Sequence, residues 1–166
     1  YYPNSVGKNF ALPAQDFVDE MAGLNDGFSV VFAGNVGSAQ ATDVIIEAAS
    51  QLKGYTDIHF LIIGDGSRRD WLLKERNIRG LSNFHLPGRF PVDMMPSLMG
   101  KASVLLVTLT DYKVFAATVP SKIQTYMAAG RPILACLNGE GARLVIEADA
   151  GITAPAEDAK ALADSI

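Results

Sequence analysis

Cysteine is almost missing from this chain: Cys136 is the single one in 166 residues. One thiol allows neither an internal disulfide nor a cysteine metal cluster, and the pattern is that expected of a reducing cytosolic compartment. Cys136 itself falls in an apolar block, where a small buried thiol is the default. Histidine is nearly as scarce, with only His59 and His85. No Ser, His and Asp stand in an order that a sheet would bring together, so nucleophilic hydrolysis is not read here. Positive charge is in deficit, 14 Lys and Arg against 18 Asp and Glu for a net −4. That balance argues against a module built to grip a nucleic-acid backbone. Long hydrophobic runs are lacking too, although 49% of the residues are hydrophobic. The longest block is about six residues, far short of the ~20 that a membrane-spanning helix needs. The start, Tyr1-Tyr2-Pro3-Asn4, has neither an initiator Met nor a charged-then-apolar leader. It reads as a piece cut from something longer.

What is present is rhythm. Residues Tyr1 to Asn25 read as a lead-in with one short helix over Gln15 to Met21. From Phe28 onward, apolar blocks predict strands at Ser29 to Ala33, Ile58 to Ile63, Asn83 to Leu86, Val104 to Leu109, Ile133 to Leu137 and Gly151 to Thr153. Several are continuous, as in parallel strands covered on both faces. Between them, helices are predicted from Thr42-Asp43 through Leu52, then over Asp70 to Ile78, Met94 to Lys101, Ser121 to Ala129, Ala142 to Ala148 and Asp158 to the end. The alternation predicts one α/β domain, a Rossmann-like doubly wound parallel sheet of about six strands. Arg68, Arg69, Lys74, Arg76 and Arg79 read as a solvated helix face. Arg131 reads as closing the turn after Gly130, and His85 as a hydrogen-bonded strand histidine beside a loop.

Open sheets of this kind bind ligands beyond the carboxyl ends of their strands. The loops there run from Gly34 to Ala41, Gly64 to Ser67, Pro87 to Val92, Thr110 to Ser121 and Asn138 to Gly141. The most telling stretch is Val119-Pro120-Ser121-Lys122-Ile123-Gln124-Thr125-Tyr126-Met127-Ala128-Ala129-Gly130. Pro120 has φ set for a first helical turn, Ser121 can accept from the adjacent backbone, and Ile123, Tyr126 and Met127 recur at helical spacing. Gly130 stands where a left-handed stop is wanted. Such a helix turns its free N–H groups and Lys122 towards the sheet edge, which suits an anion, phosphate above all. Phe90, beside Arg89, either stacks on a base or plugs the core; Tyr112 is a candidate sugar contact.

In order, these segments resemble the donor-binding half of retaining glycosyltransferases of the GT-B fold. The likeness is carried by Phe32-Ala33-Gly34-Asn35-Val36-Gly37, Ile46-Glu47-Ala48-Ala49 and Leu61-Ile62-Ile63-Gly64-Asp65-Gly66. It continues in Asn83-Phe84-His85-Leu86-Pro87-Gly88-Arg89, Ala102-Ser103-Val104-Leu105-Leu106-Val107, Met127-Ala128-Ala129-Gly130-Arg131-Pro132-Ile133-Leu134-Ala135 and Gly151-Ile152. The resemblance implies a nucleoside-diphosphate sugar, with UDP expected, bound by residues 26–166 and transferred to a glycan or lipid-linked acceptor. Gly34 to Gly37 would lie near the diphosphate, with the Gly64-Asp65-Gly66 turn and Arg89-Phe90 at the base. The helix from Pro120 and Ser121, with Lys122 and Thr125, would cap the distal phosphate. The resemblance further implies no metal or other cofactor, while the charge balance and cysteine usage point to no nucleic-acid partner and a cytoplasmic placement, at the inner face of the membrane if at any membrane. Catalytic groups and any membrane contact would belong to an absent N-terminal domain.

The chain departs from the family at the charged contacts. Many members follow the first strand with an Arg and a Lys five residues apart; here the positions hold Asn35 and Gln40. Many also carry two glutamates eight apart, where this chain has Ala117 and Thr125. It looks closest to a subgroup for amino- or deoxy-sugar transfer in polysaccharide assembly, which shares the Pro-Ser-Lys helix start and the Asn/Gln pair. Lys122 is the expected replacement for the missing positive charge. Two other readings stay open: a nucleotide-sugar epimerase of the same architecture, and a dinucleotide-binding dehydrogenase domain. Gly34-Asn35-Val36-Gly37-Ser38-Ala39 misses the dinucleotide spacing of glycines.

Overall fold

A computed structural model describes Leu24 and residues 27–166; the helix expected over Gln15 to Met21 lies outside them. Strands β1 (Phe28–Asn35), β2 (Ile58–Asp65), β3 (Phe84–Gly88), β4 (Val104–Thr108), β5 (Ile133–Cys136) and β6 (Gly151–Ala154) form one sheet in the order β3-β2-β1-β4-β5-β6. Every pairing is parallel. The intervening helices are α1 (Thr42–Gln51), α2 (Arg69–Arg79), α3 (Met95–Lys101), α4 (Lys113–Ala116), α5 (Ser121–Ala128), α6 (Glu140–Glu147) and α7 (Ala159–Asp164). The doubly wound sheet expected from the alternation is what forms.

Side chains alternate along the strands, so β1, β2, β4 and β5 each feed two cores. Val30, Phe32, Phe60, Ile62, Leu106 and Leu134 pack with α1, α2 and α7. Val31, Ala33, Leu61, Ile63, Leu105 and Ala135 pack with α3, α5 and α6 on the other face. Strands buried on both faces explain the unbroken apolar blocks. Cys136 is buried, donates to Pro155 O at 3.1 Å, and burial pushes its thiol up to about 11. It is an inert core group.

Differences from the expected elements gather at the sheet's carboxyl edge. β1 and β2 run two residues further than predicted, because Gly34 pairs with Gly64 and Asn35 with Asp65. Their approach is so close that a Cβ on Gly64 would fall 1.8 Å from Gly34 O. Glycine there is a steric requirement. α4 arises inside a segment predicted as loop, four residues being too few to show a period.

The basic residues at the start of α2 and along it are a solvated face only in part: Lys74 is exposed, whereas the arginines are half-buried. Arg68 lies over the Trp71 ring at 3.8 Å, Arg69 donates to Leu86 O at 3.3 Å, and Arg79 sits between Glu47 and Glu75. Arg131 donates to Gly100 O, which ties the turn after α5 to α3. His59 Nδ1 and His85 Nε2 meet at 3.2 Å across β2 and β3.

Candidate functional site

The sheet order reverses between β1 and β4, and there the two strands separate. They pair only at Val30–Val104 and Val31–Leu105, while β1 stays in register with β2 to its end. A crevice opens where strands diverge in this way, and it is the usual ligand position in open α/β sheets. The loops predicted from the sequence converge on it.

The first loop is held by its own amides. Asn35 Nδ2 donates to Gln40 Oε1 at 3.3 Å, and the same oxygen accepts from Gly37 N–H at 3.1 Å. Thr108 Oγ1 donates to Gln40 O at 2.5 Å and Thr110 N–H to Ala39 O at 3.1 Å, laying the loop over the end of β4. The neutral Asn35 and Gln40 thus shape the loop. On the neighbouring turn, Asp65 Oδ1 accepts from Gly66 N–H at 2.8 Å, and Asp65 Oδ2 lies 3.6 Å from Arg89 Nε. A Cβ on Gly66 would meet Val36 O at 2.4 Å, so the first two loops touch through backbone. Arg89 is exposed, whereas Phe90 packs into the core with Ile63, Leu98 and Met99. Of its two readings, the structure places the ring in the core.

On the other side, Tyr112 is exposed and its ring lies 5.8 Å from that of Phe115. Asn138 laces this region: its Nδ2 donates to Asp111 Oδ1 at 2.9 Å and its Oδ1 accepts from Ala156 N–H at 3.1 Å. Helix α5 then begins, with Pro120 just outside rather than within its first turn. No cap from the Ser121 hydroxyl is present among the described residues, contrary to expectation; Ser121 is exposed, and its carbonyl accepts from Thr125 Oγ1 at 3.4 Å. Gly130 takes the predicted left-handed conformation at φ +66° after the helix.

Lys122 is the group that sets the site's electrostatics. Its Nζ lies 3.5 Å from the centroid of Phe32, buried and without a hydrogen-bond partner. A Cβ on Gly34 would come within 3.2 Å of Lys122 Cε and 3.3 Å of Nζ, and Gly34 has φ +137°. Glycine at the end of β1 therefore leaves room for the lysine's tip. Burial pushes the Lys122 pKa down to about 7. The aromatic face attracts the ammonium by up to about 2 kcal/mol, but it satisfies none of its three donors. A buried donor left unmet costs about 1–3 kcal/mol. At neutral pH Lys122 is thus shared between amine and ammonium, and its charged form has no acceptor among the described residues.

The ionisable groups nearby are occupied elsewhere: Asp65 by Gly66 and Arg89, Asp111 by Asn138, and Glu140 by Arg143. The structure brings Gly34, Gly64 and Lys122 together, with Asn35, Gly37 and Gln40 in the loop beside them. Sequence reasoning missed Phe32 as the lysine's platform, Thr108 as a loop anchor and Tyr126 as a polar group. For Tyr126 a signal existed: it stands four residues after Lys122, and a buried tyrosine hydroxyl seeks a partner.

Comparison with known proteins follows this geometry. The family described as Glycosyl transferases group 1 matches residues 27–166. The probable glycosyltransferase WbjE of Pseudomonas aeruginosa is 34% identical over 134 residues, 80% of this chain and 33% of that protein. The "putative colanic acid biosynthesis glycosyl transferase WcaI" of Escherichia coli K12 is 31% identical over 101 residues, 61% of this chain and 24% of its own length. The chain thus spans about a quarter to a third of the length of these relatives. The crystal structure of Anabaena HepE in complex with UDP superposes with a TM-score of 0.73 at 19% identity, over 92% of this chain and 42% of that one. At that identity the likeness is one of fold. The chain belongs to the Glycosyl transferases group 1 family, and its described residues form a Rossmann-like domain with the fold of GT-B glycosyltransferase domains.

Proposed function

We propose that this domain holds a nucleoside-diphosphate sugar, a UDP-sugar, for transfer to a glycan or lipid-linked acceptor, with protein groups alone meeting the diphosphate. The observation that carries the reading is the buried, unpartnered Lys122 ammonium under Gly34, where α5 begins without a side-chain cap. Breaking the anomeric carbon–oxygen bond expels a nucleoside diphosphate, so negative charge grows on the leaving oxygens. A cation and N–H groups already oriented for that charge lower the barrier without reorganising. Lys122 supplies the cation and the first turn of α5 the N–H groups. Asn35 and Gln40 hold the glycine loop to the shape of the phosphates. Arg89 and Asp65 border the base, and Tyr112 faces the sugar.

The UDP complex of HepE supports this assignment of ligand class, and the colanic acid biosynthesis in WcaI's description supports a polysaccharide product. In this reading the acceptor site and a catalytic base belong to the part of the relatives' length that this chain does not span. Calorimetric titration of UDP into wild type and Lys122→Met tests the reading. A desolvated charge-assisted contact is worth about 1.5–3 kcal/mol, so UDP affinity should fall about 10- to 150-fold. A loss under about twofold overturns it.

A further inference from the structure

Where β1 leaves β4, the peptide of Ala33 loses the strand neighbour that would ordinarily satisfy it. Tyr126 takes that neighbour's place. Its hydroxyl accepts from Ala33 N–H at 2.9 Å and donates to Ala33 O at 3.2 Å. The side chain is 1% exposed, and burial holds its ionisation well above the usual phenol range. The proton needed for the bond to Ala33 O therefore stays on the oxygen.

Tyr126 is one helical turn beyond Lys122, so the two side chains leave α5 on the same face. They meet three consecutive residues of β1: Tyr126 at Ala33, and Lys122 at Phe32 and Gly34. We propose that Tyr126 is the positioning residue of the anion site, clamping α5 to Ala33 and so fixing the depth of the Lys122 ammonium beneath Gly34. The inference rests on the reading of this crevice as a diphosphate site. A phenol that merely mended the sheet would stabilise the fold without regard to Lys122. A clamp couples the two residues energetically, because the lysine meets the phosphate only if the helix keeps its distance from the strand.

The test is a double-mutant cycle on the full chain, with UDP as the probe and thermal melts run beside each titration. Tyr126→Phe keeps the ring and removes the hydroxyl. In the Lys122 background it should weaken UDP binding about tenfold, and in the Lys122→Met background less than about twofold. Equal losses in both backgrounds, or a lowered Tm with unchanged affinity, overturn the positioning role while leaving the diphosphate reading intact. Failure of wild type to bind UDP instead sinks the diphosphate reading, and the positioning role with it. Should Tyr126→Phe not fold, amide exchange in wild type decides: UDP should slow exchange at Ala33 N–H several-fold, and an unchanged rate overturns the clamp.

Discussion

Arg79 and Lys122 are cations on helices of one small domain, treated in opposite ways. Arg79, on α2, has its Nη1 2.6 Å from Glu47 and its Nε 2.9 Å from Glu75. Hydrogen bonds to the two carboxylates raise its pKa further above an already high value. Lys122, on α5, is buried under a glycine with an aromatic ring for company and no acceptor, and its pKa falls to about 7. One charge is complete within the fold; the other has no acceptor among the described residues, as the proposed diphosphate role requires. Residue type and helical setting alone do not show this difference.

Four measurements press on that contrast. The largest effect is the fall of about 10- to 150-fold in UDP affinity for Lys122→Met, read by calorimetry. The same variant should be more stable than wild type without ligand, by about 1–3 kcal/mol in denaturant unfolding, because an unmet buried donor is gone. A lysine that loses stability on this change would belong with Arg79 instead. Next comes pH. Unfolded, Lys122 titrates near its ordinary 10.5; folded, near 7. Between these values the unfolded chain binds the extra proton, so this lysine makes stability rise with pH, by at most about 1.4 kcal/mol per pH unit. Below about pH 7 both states carry the proton and the slope vanishes. Urea melts across this range should show the rise in wild type and its loss in Lys122→Met. The smallest effect belongs to Arg79→Met: its partly exposed ion pairs predict a stability loss of at most about 1 kcal/mol, with UDP affinity unchanged.

The fold was readable because β1, β2, β4 and β5 are sandwiched between helices and so appear as apolar blocks, with glycine turns after all but β4. Gly130 was readable for a local reason, as left-handed backbone at a helix end favours glycine. The site was only partly so. Lys122 stood out beside Pro120, yet its burial depends on Phe32 and Gly34, some ninety residues earlier in the chain, and no local pattern encodes that meeting. Ser121 looked like a cap because serine often is one, but its hydroxyl makes no such bond in the described structure. Tyr126 was counted with the apolar repeat, since its ring packs with Ile123 while its oxygen alone reaches β1. Phe90 offered two equal readings from sequence, and only packing against Leu98 and Met99 chose between them.

The abutment of Gly64 against Gly34 O has an evolutionary corollary. With 1.8 Å available, even one methyl group is barred from position 64, so that stretch of floor is closed to side-chain variation. Diversity in what this rim accepts must then come from its margins, at Arg89 or Tyr112, where side chains face solvent and can be exchanged without moving the backbone.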